Sequence, residues 1–165
     1  APPRRFMPPR FHGSLAPLLE DMDSRRECLV DLEWRPVDMA EVVDDLLNAH
    51  PDATVHALLL EGCGIGDAGA GVLAHALLHR GLRVSSLSLG HNGISAAGAA
   101  LLARALASAA EAGAGHAPLT SVDLHMNPIG DAGAAAVVDA LPRTVAELDL
   151  RRCGVGAAGG VAVGR

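Results

Sequence analysis

LLLEGCGIGDAGAGVL, residues 58–73, decides how the whole chain is read. It contains GIGDAG, a literal G-x-G-x-x-G (Gly64, Gly66, Gly69), between an apolar run and the start of a helix. Such a loop cradles a pyrophosphate when it sits in a single βαβ unit and an acidic residue follows roughly 20 positions later to hold a ribose. The next strand, VSSLSLG, offers only Ser88 at that place, so the ribose partner is missing.

The stretch also recurs. VHALLLEGCGIGDAGAGVLAHAL (55–77) overlays VSSLSLGHNGISAAGAALLARAL (84–106), LTSVDLHMNPIGDAGAAAVVDAL (119–141) and VAELDLRRCGVGAAGGVAV (145–163). Val55, Val84, Leu119 and Val145 open the units; Leu58, Leu87, Val122 and Leu148 follow, then Leu60, Leu89, Leu124 and Leu150. Cys63, Asn92, Asn127 and Cys153 share one column, Ile65, Ile94, Ile129 and Val155 another, and Gly69, Gly98, Gly133 and Gly159 a third. A fainter copy precedes them, Leu29-x-x-Leu32-x-Trp34-x-x-Val37-x-Met39, with Val37 in the Asn/Cys column. The starts lie 26, 29, 35 and 26 residues apart. The glycine motif is therefore a fragment of a repeated unit, returning as GVGAAG at 154–159.

These columns resemble the leucine-rich-repeat pattern L-x-x-L-x-L-x-x-N/C-x-L, and the helical tail with its 26–29-residue period is similar to the ribonuclease-inhibitor-like subfamily. The resemblance covers residues 29–165 and implies an α/β leucine-rich-repeat solenoid. That fold is a short right-handed horseshoe of about five coils, with parallel strands on the concave face and helices on the convex face. It implies that the strand leucines point inward, that Asn or Cys satisfies backbone groups at the bend, and that the column glycine lets helix and strand approach. Leu73, Ala74 and Leu77 then form the helix stripe. The insertion SAAEAGAGHA (108–117) is expected to bulge at a helix C-terminus. At one end the acidic helix DMAEVVDDLLNAH and Trp34 are expected to cap the core. At the other, Leu148, Leu150, Val155, Val161 and Val163 are expected to form an open apolar edge, covered by a partner or by further repeats.

Composition narrows the function classes. The 165 residues are 50% hydrophobic, enough for one core, with a net charge of −6, which disfavours nucleic acid as the main partner. The exception is residues 1–28, expected to be an extended Pro/Arg-containing arm: Phe6 and Phe11 are its candidate apolar anchors, and Arg4, Arg5 and Arg10 its charge anchors, toward a neighbouring subunit or an anionic surface such as nucleic acid. Cys28, Cys63 and Cys153 form neither a disulfide framework nor a metal spacing. With no run of 18 apolar residues and no secretory h-region, an intracellular setting is expected: cytoplasm, cytoskeleton or cilium, or an organelle matrix.

No Ser-His-Asp or Cys-His spacing points to catalysis, and neither a cofactor nor a metal is expected. Cys63 and Cys153 read as buried thiols, and His75 with His79 as solvated helix residues. The outward strand positions form three columns: Asp31, Ala57, Ser86, Ser121, Glu147; Glu33, Leu59, Ser88, Asp123, Asp149; and Arg35, Glu61, Gly90, His125, Arg151. Charge gathers on the last two coils, making Asp123, His125, Met126, Glu147, Asp149, Arg151 and Arg152 the candidate partner-binding residues; a metal between Asp123, His125 and His91 is conceivable but not expected. The resemblance thus implies a non-enzymatic protein-protein interaction module or small structural subunit of a larger intracellular assembly. The alternatives are a regulator of a small GTPase or a cytoskeletal cap, and a repeat fragment of a larger enzyme-associated or effector protein. Five coils with three cysteines are too few to wrap a nuclease.

Overall fold

The computed structural model describes residues 29–32, 36–49, 54–111 and 118–157. Strands and helices alternate along them: β1 (Leu29–Asp31), α1 (Met39–Ala49), β2 (Thr54–Leu59), α2 (Gly66–His79), β3 (Arg83–Ser88), α3 (Ala96–Glu111), β4 (Ser121–Asp123), α4 (Gly130–Ala140) and β5 (Glu147–Asp149). The strands form one open parallel sheet in the order β1-β2-β3-β4-β5. Sequence neighbours are thus spatial neighbours, and the chain coils as an α/β solenoid.

The period-2 alternation of the strands sets the register. Leu58, Leu87 and Val122 pair across β2, β3 and β4 and are buried, as are Leu60, Leu89 and Leu124 just beyond the strand ends. Leu73, Ala74 and Leu77 of α2, and Leu102, Ala103 and Leu106 of α3, close the core from the helix side. Each leucine removed from water this way stabilises the fold by about 1.5–3 kcal/mol.

Three expectations are corrected. The first coil sits two residues from its expected register, because Val30, not Leu32, pairs with Leu58, and Asp31 pairs with Leu59. Val30 and Leu32 are accordingly the buried pair, Asp31 replaces Glu33 in the central outward column, and Val37 precedes Ile65 by the same 28 residues that separate Val30 from Leu58, so it moves from the Asn/Cys column to the Ile column. Trp34, Glu33 and Arg35 lie outside the described residues. Second, the column glycines admit the neighbouring coil's helix rather than a strand. A Cβ at Gly133 would stand 3.0 Å from the Ala96 backbone, one at Gly98 3.2 Å from that of Asp67, and one at Gly69 2.9 Å from Met39. Third, the insertion begins as helix: α3 runs 16 residues, against 14 for α2 and 11 for α4, and Ser108–Glu111 are its last four; residues 112–117 are not described.

Backbone groups stranded where strand turns to helix are met by the Asn/Cys column. Asn92 Nδ2 donates to the carbonyls of Leu60 (2.7 Å), Leu89 (3.0 Å) and Gly90 (3.0 Å), and its Oδ1 accepts from Ile65 N (3.4 Å). Asn127 repeats this one coil on, donating to Leu89 and Leu124 and accepting from the amides of Asn92 and Ile94. The thiols supply the donor half too: Cys63 Sγ donates to Leu32 O (2.9 Å) and Cys153 Sγ to Leu124 O (3.1 Å). Opposite Cys153, Ile129 N donates instead to Asn127 O within its own coil.

A second tie joins successive helices. Ser95 caps α3 with a hydrogen bond from Ala97 N to its hydroxyl. Asp67, in the first turn of α2, accepts from Ser95 N (2.8 Å), the Ser95 hydroxyl (2.6 Å) and Gly98 N (3.2 Å). Asp131 accepts likewise from Gly156 N (2.6 Å), whereas the matching residue at the start of α3 is Ala96.

Asn92→Ala strands the buried Leu60 carbonyl and the Ile65 amide, since Leu89 O keeps Asn127 Nδ2 and Gly90 O keeps Gly62 N, and should cost about 3 kcal/mol of unfolding free energy, while Asn92→Cys, which restores one donor, should cost roughly half as much. Urea unfolding with unchanged m-values checks both. The Ser95 hydroxyl and amide hold the Asp67 carboxyl below its ordinary value of 3.8. A depressed folded-state pKa gives stability that is present above the unfolded-state value and lost as pH falls through the folded one. Asp67→Ala should therefore cost about 1 kcal/mol at neutral pH, and the gap to wild type should close in acid, below that ordinary value. Denaturant melts across that range measure it.

Candidate functional site

The amides of the glycine loop face protein. Gly66 N donates to Asn92 O (2.9 Å), Ile65 N to Asn92 Oδ1, and Gly69 N to Ile65 O. Gly64 and Gly66 have φ of +68° and +56°, so these glycines serve the turn of the repeat. A groove between α1 and α2 is lined by Pro36, Val37, Met39, Ile65, Gly69 and Val72 and carries little polar chemistry beyond Asp38.

A group of titratable side chains gathers on the sheet face opposite the helices. Pairings Ser86↔Ser121↔Glu147 and Ser88↔Asp123↔Asp149 place the expected columns side by side. Beyond the strand ends the ladder continues through Gly62 N to Gly90 O, His91 N to His125 O and Met126 N to Arg151 O, each 2.9–3.0 Å. This fixes where Glu61, Gly90, His125 and Arg151 start.

Of the expected partner-binding residues, Asp123, His125, Asp149 and Arg151 come together. His125 lies half-buried, its Nδ1 2.8 Å from Asp123 Oδ1, which also accepts from the His125 backbone N–H. Arg151 Nε lies 2.9 and 3.0 Å from the Asp149 oxygens and a terminal nitrogen 2.6 Å from Oδ2. That hydrogen bond, foremost, holds the Asp149 carboxyl below its ordinary value. Glu147, at the start of β5, and Arg152, in the turn beyond its end, are exposed, and Met126, in the turn beyond β4, is half-buried. Met126 and Arg152 have φ of 55° and 57°, as does His91 at 55°, in the turn column where the second coil has Gly62. The arm anchors Arg4, Arg5, Phe6, Arg10 and Phe11 lie outside the described residues, as does Cys28.

Two residues outside the expected partner-binding set join them, Glu61 of the third outward column and His91 of the turn. Glu61 Oε1 is 3.5 Å from His125 Nε2, two coils away, and the His91 and His125 rings meet edge to face with centroids 5.5 Å apart. The contact exists because Gly90 stands between: a Cβ there would fall on the His125 ring. A glycine in an outward column, flanked by acid and imidazole, is the sequence signal that marks it. His75 and His79 are exposed on α2, rings 4.9 Å apart.

Cys63 and Cys153 are buried, and burial foremost pushes the Cys153 thiol above its ordinary value. Among the described residues, no helix is long and apolar enough to cross a membrane.

A family model described as Leucine Rich repeat matches residues 53–74, 84–103, 115–138 and 142–164, more than half of the chain, which therefore belongs to the leucine-rich-repeat family. No curated protein matches it. Repeats of this family are generally protein-protein interaction modules and typically non-enzymatic.

Native Cys63 and Cys153 should react with a thiol reagent at least about 100-fold more slowly than in the denatured chain, since only the exposed thiolate attacks. Timed labelling read by peptide mass spectrometry gives the rate at each site.

Proposed function

We propose that this chain is a non-enzymatic protein-binding subunit of a larger intracellular assembly, of the ribonuclease-inhibitor-like kind, engaging its partner through the sheet face of the fourth and fifth coils. The domain division follows from that: residues 29–165 form the repeat domain, and residues 1–28 are an arm available for a second contact. The strand-plus-helix coil with a 28- or 29-residue spacing across the first three units supports the subfamily.

The observation that carries the reading is the charge pattern. Asp123, His125, Asp149 and Arg151 form a continuous polar row across two neighbouring coils, held by backbone pairing and side-chain hydrogen bonds rather than by packing into the core. Arg151 is 82% exposed while its Asp149 partner is 25% exposed, so a fixed guanidinium is presented outward from a positioned carboxylate. Such a row fixes partner choice and register, with less effect on the stability of the free protein. The half-buried apolar residues Leu148, Leu150 and Val155 mark the second surface we assign to partner contact; Val161 and Val163 of that edge lie outside the described residues.

Arg151→Glu and Asp149→Arg should each weaken partner capture at least about 10-fold, with a melting temperature within a few degrees of wild type. Arg104→Glu, on the exposed face of α3, should leave capture unchanged. Quantitative affinity capture from the native source, comparing the three variants with wild type, tests this. A co-purifying partner retained equally by all three would move the binding surface off this face.

A further inference from the structure

We propose that Glu61, His91 and His125 form a binding site for a divalent cation of the zinc class on the exposed face of the sheet. One donor atom from each side chain lies within 4.8 Å of the others. The Glu61 Oε1 to His125 Nε2 distance of 3.5 Å is close to the separation of about 3.3 Å between adjacent donors in a tetrahedral zinc site with bonds of 2.0–2.1 Å.

Four features build the site. The backbone bonds Gly62 N to Gly90 O and His91 N to His125 O hold the three ligand-bearing turns in fixed register. Gly90 leaves the space that the His125 ring fills. Asp123 holds His125 by Nδ1 at 2.8 Å, which turns Nε2 toward Glu61; a carboxylate behind a ligating imidazole orients the ring and raises its basicity. The side chains of His125 and Glu61 are only 18% and 23% exposed, so their donors are partly withdrawn from water before any ion arrives.

The donor set names the ion. Two imidazoles and one carboxylate suit zinc and its late first-row neighbours rather than calcium or magnesium, which take oxygen ligands. Three protein ligands leave a fourth position for water. The alternative grouping of Asp123, His125 and Asp149 offers one imidazole, and its Asp149 is already held by Arg151. The site does not depend on the protein-binding reading, and the two can fail separately.

The test is calorimetric titration of zinc chloride into metal-stripped protein, with cobalt(II) absorption in the visible as a geometry readout. We expect one zinc per chain and a tetrahedral cobalt spectrum. His125→Ala and Glu61→Gln should each weaken zinc at least 10-fold, and His91→Ala with His125→Ala should abolish the site. Asp123→Asn, which removes no ligand, should weaken binding by about 10- to 100-fold. His75→Ala with His79→Ala is the control and should change nothing. Absence of stoichiometric zinc uptake by the wild type overturns the proposal, as does uptake that survives His91→Ala with His125→Ala in a variant whose circular dichroism shows it folded, or that is lost in the His75/His79 control.

Discussion

A side chain from one coil satisfying the backbone of the coil before it is the interaction on which the structure depends. Where strand gives way to helix the chain bends, and the Leu32, Leu60, Leu89 and Leu124 carbonyls point into the interior with no strand partner. Cys63, Asn92, Asn127 and Cys153 donate to them in turn. Without that donor, each bend would bury an unpaired carbonyl at a cost comparable to a whole leucine. With it, the bend can lie inside the core, the helix can return over its own strand, and the leucines close from both sides. The two residue types are not equivalent: Asn127 Oδ1 accepts from the Ile94 amide of the coil before it, whereas opposite Cys153 the matching Ile129 amide turns to Asn127 O instead.

This inter-coil dependence explains what was legible in the sequence. Six columns recur because each has one physical duty in every coil, so strand register, helix positions and the buried thiols could be read directly from their alignment. The first coil was misread because Leu29, Leu32 and Trp34 match the leucine spacing as well as Val30 and Leu32 do; only the pairing of Val30 with Leu58 separates them. The glycines were assigned to the wrong neighbour for a similar reason. A repeat pattern shows that a residue must be small but not which element approaches it, and Gly98 and Gly133 turn out to face the helix starts at Asp67 and Ala96.

The sheet face was half legible. Alternation identified which residues leave the core, and the charged row of the last two coils follows from it. What alternation cannot give is reach along the solenoid axis. Glu61 and His125 are 64 positions apart in sequence and meet because the column residue between them has no side chain. The turn residues add to this: His91, Met126 and Arg152 sit in left-handed conformations that cost a non-glycine residue about 1 kcal/mol or more, tolerated because the ladder on either side fixes the turn. The face therefore carries side chains at positions where a repeat optimised only for stability would place glycine.

The Asn/Cys ladder also has a direction. A coil's inward carbonyl is met by the coil that follows it in sequence, never by the one before. On a ribosome, the most recently emerged coil would thus hold its bend carbonyl through its own asparagine at most, as Asn92 does for Leu89 and Asn127 for Leu124, and would lack the second donor until the next Asn or Cys leaves the exit tunnel. Folding of this domain would trail its synthesis by one repeat, each step sealing the coil already made while opening the same need in the new one.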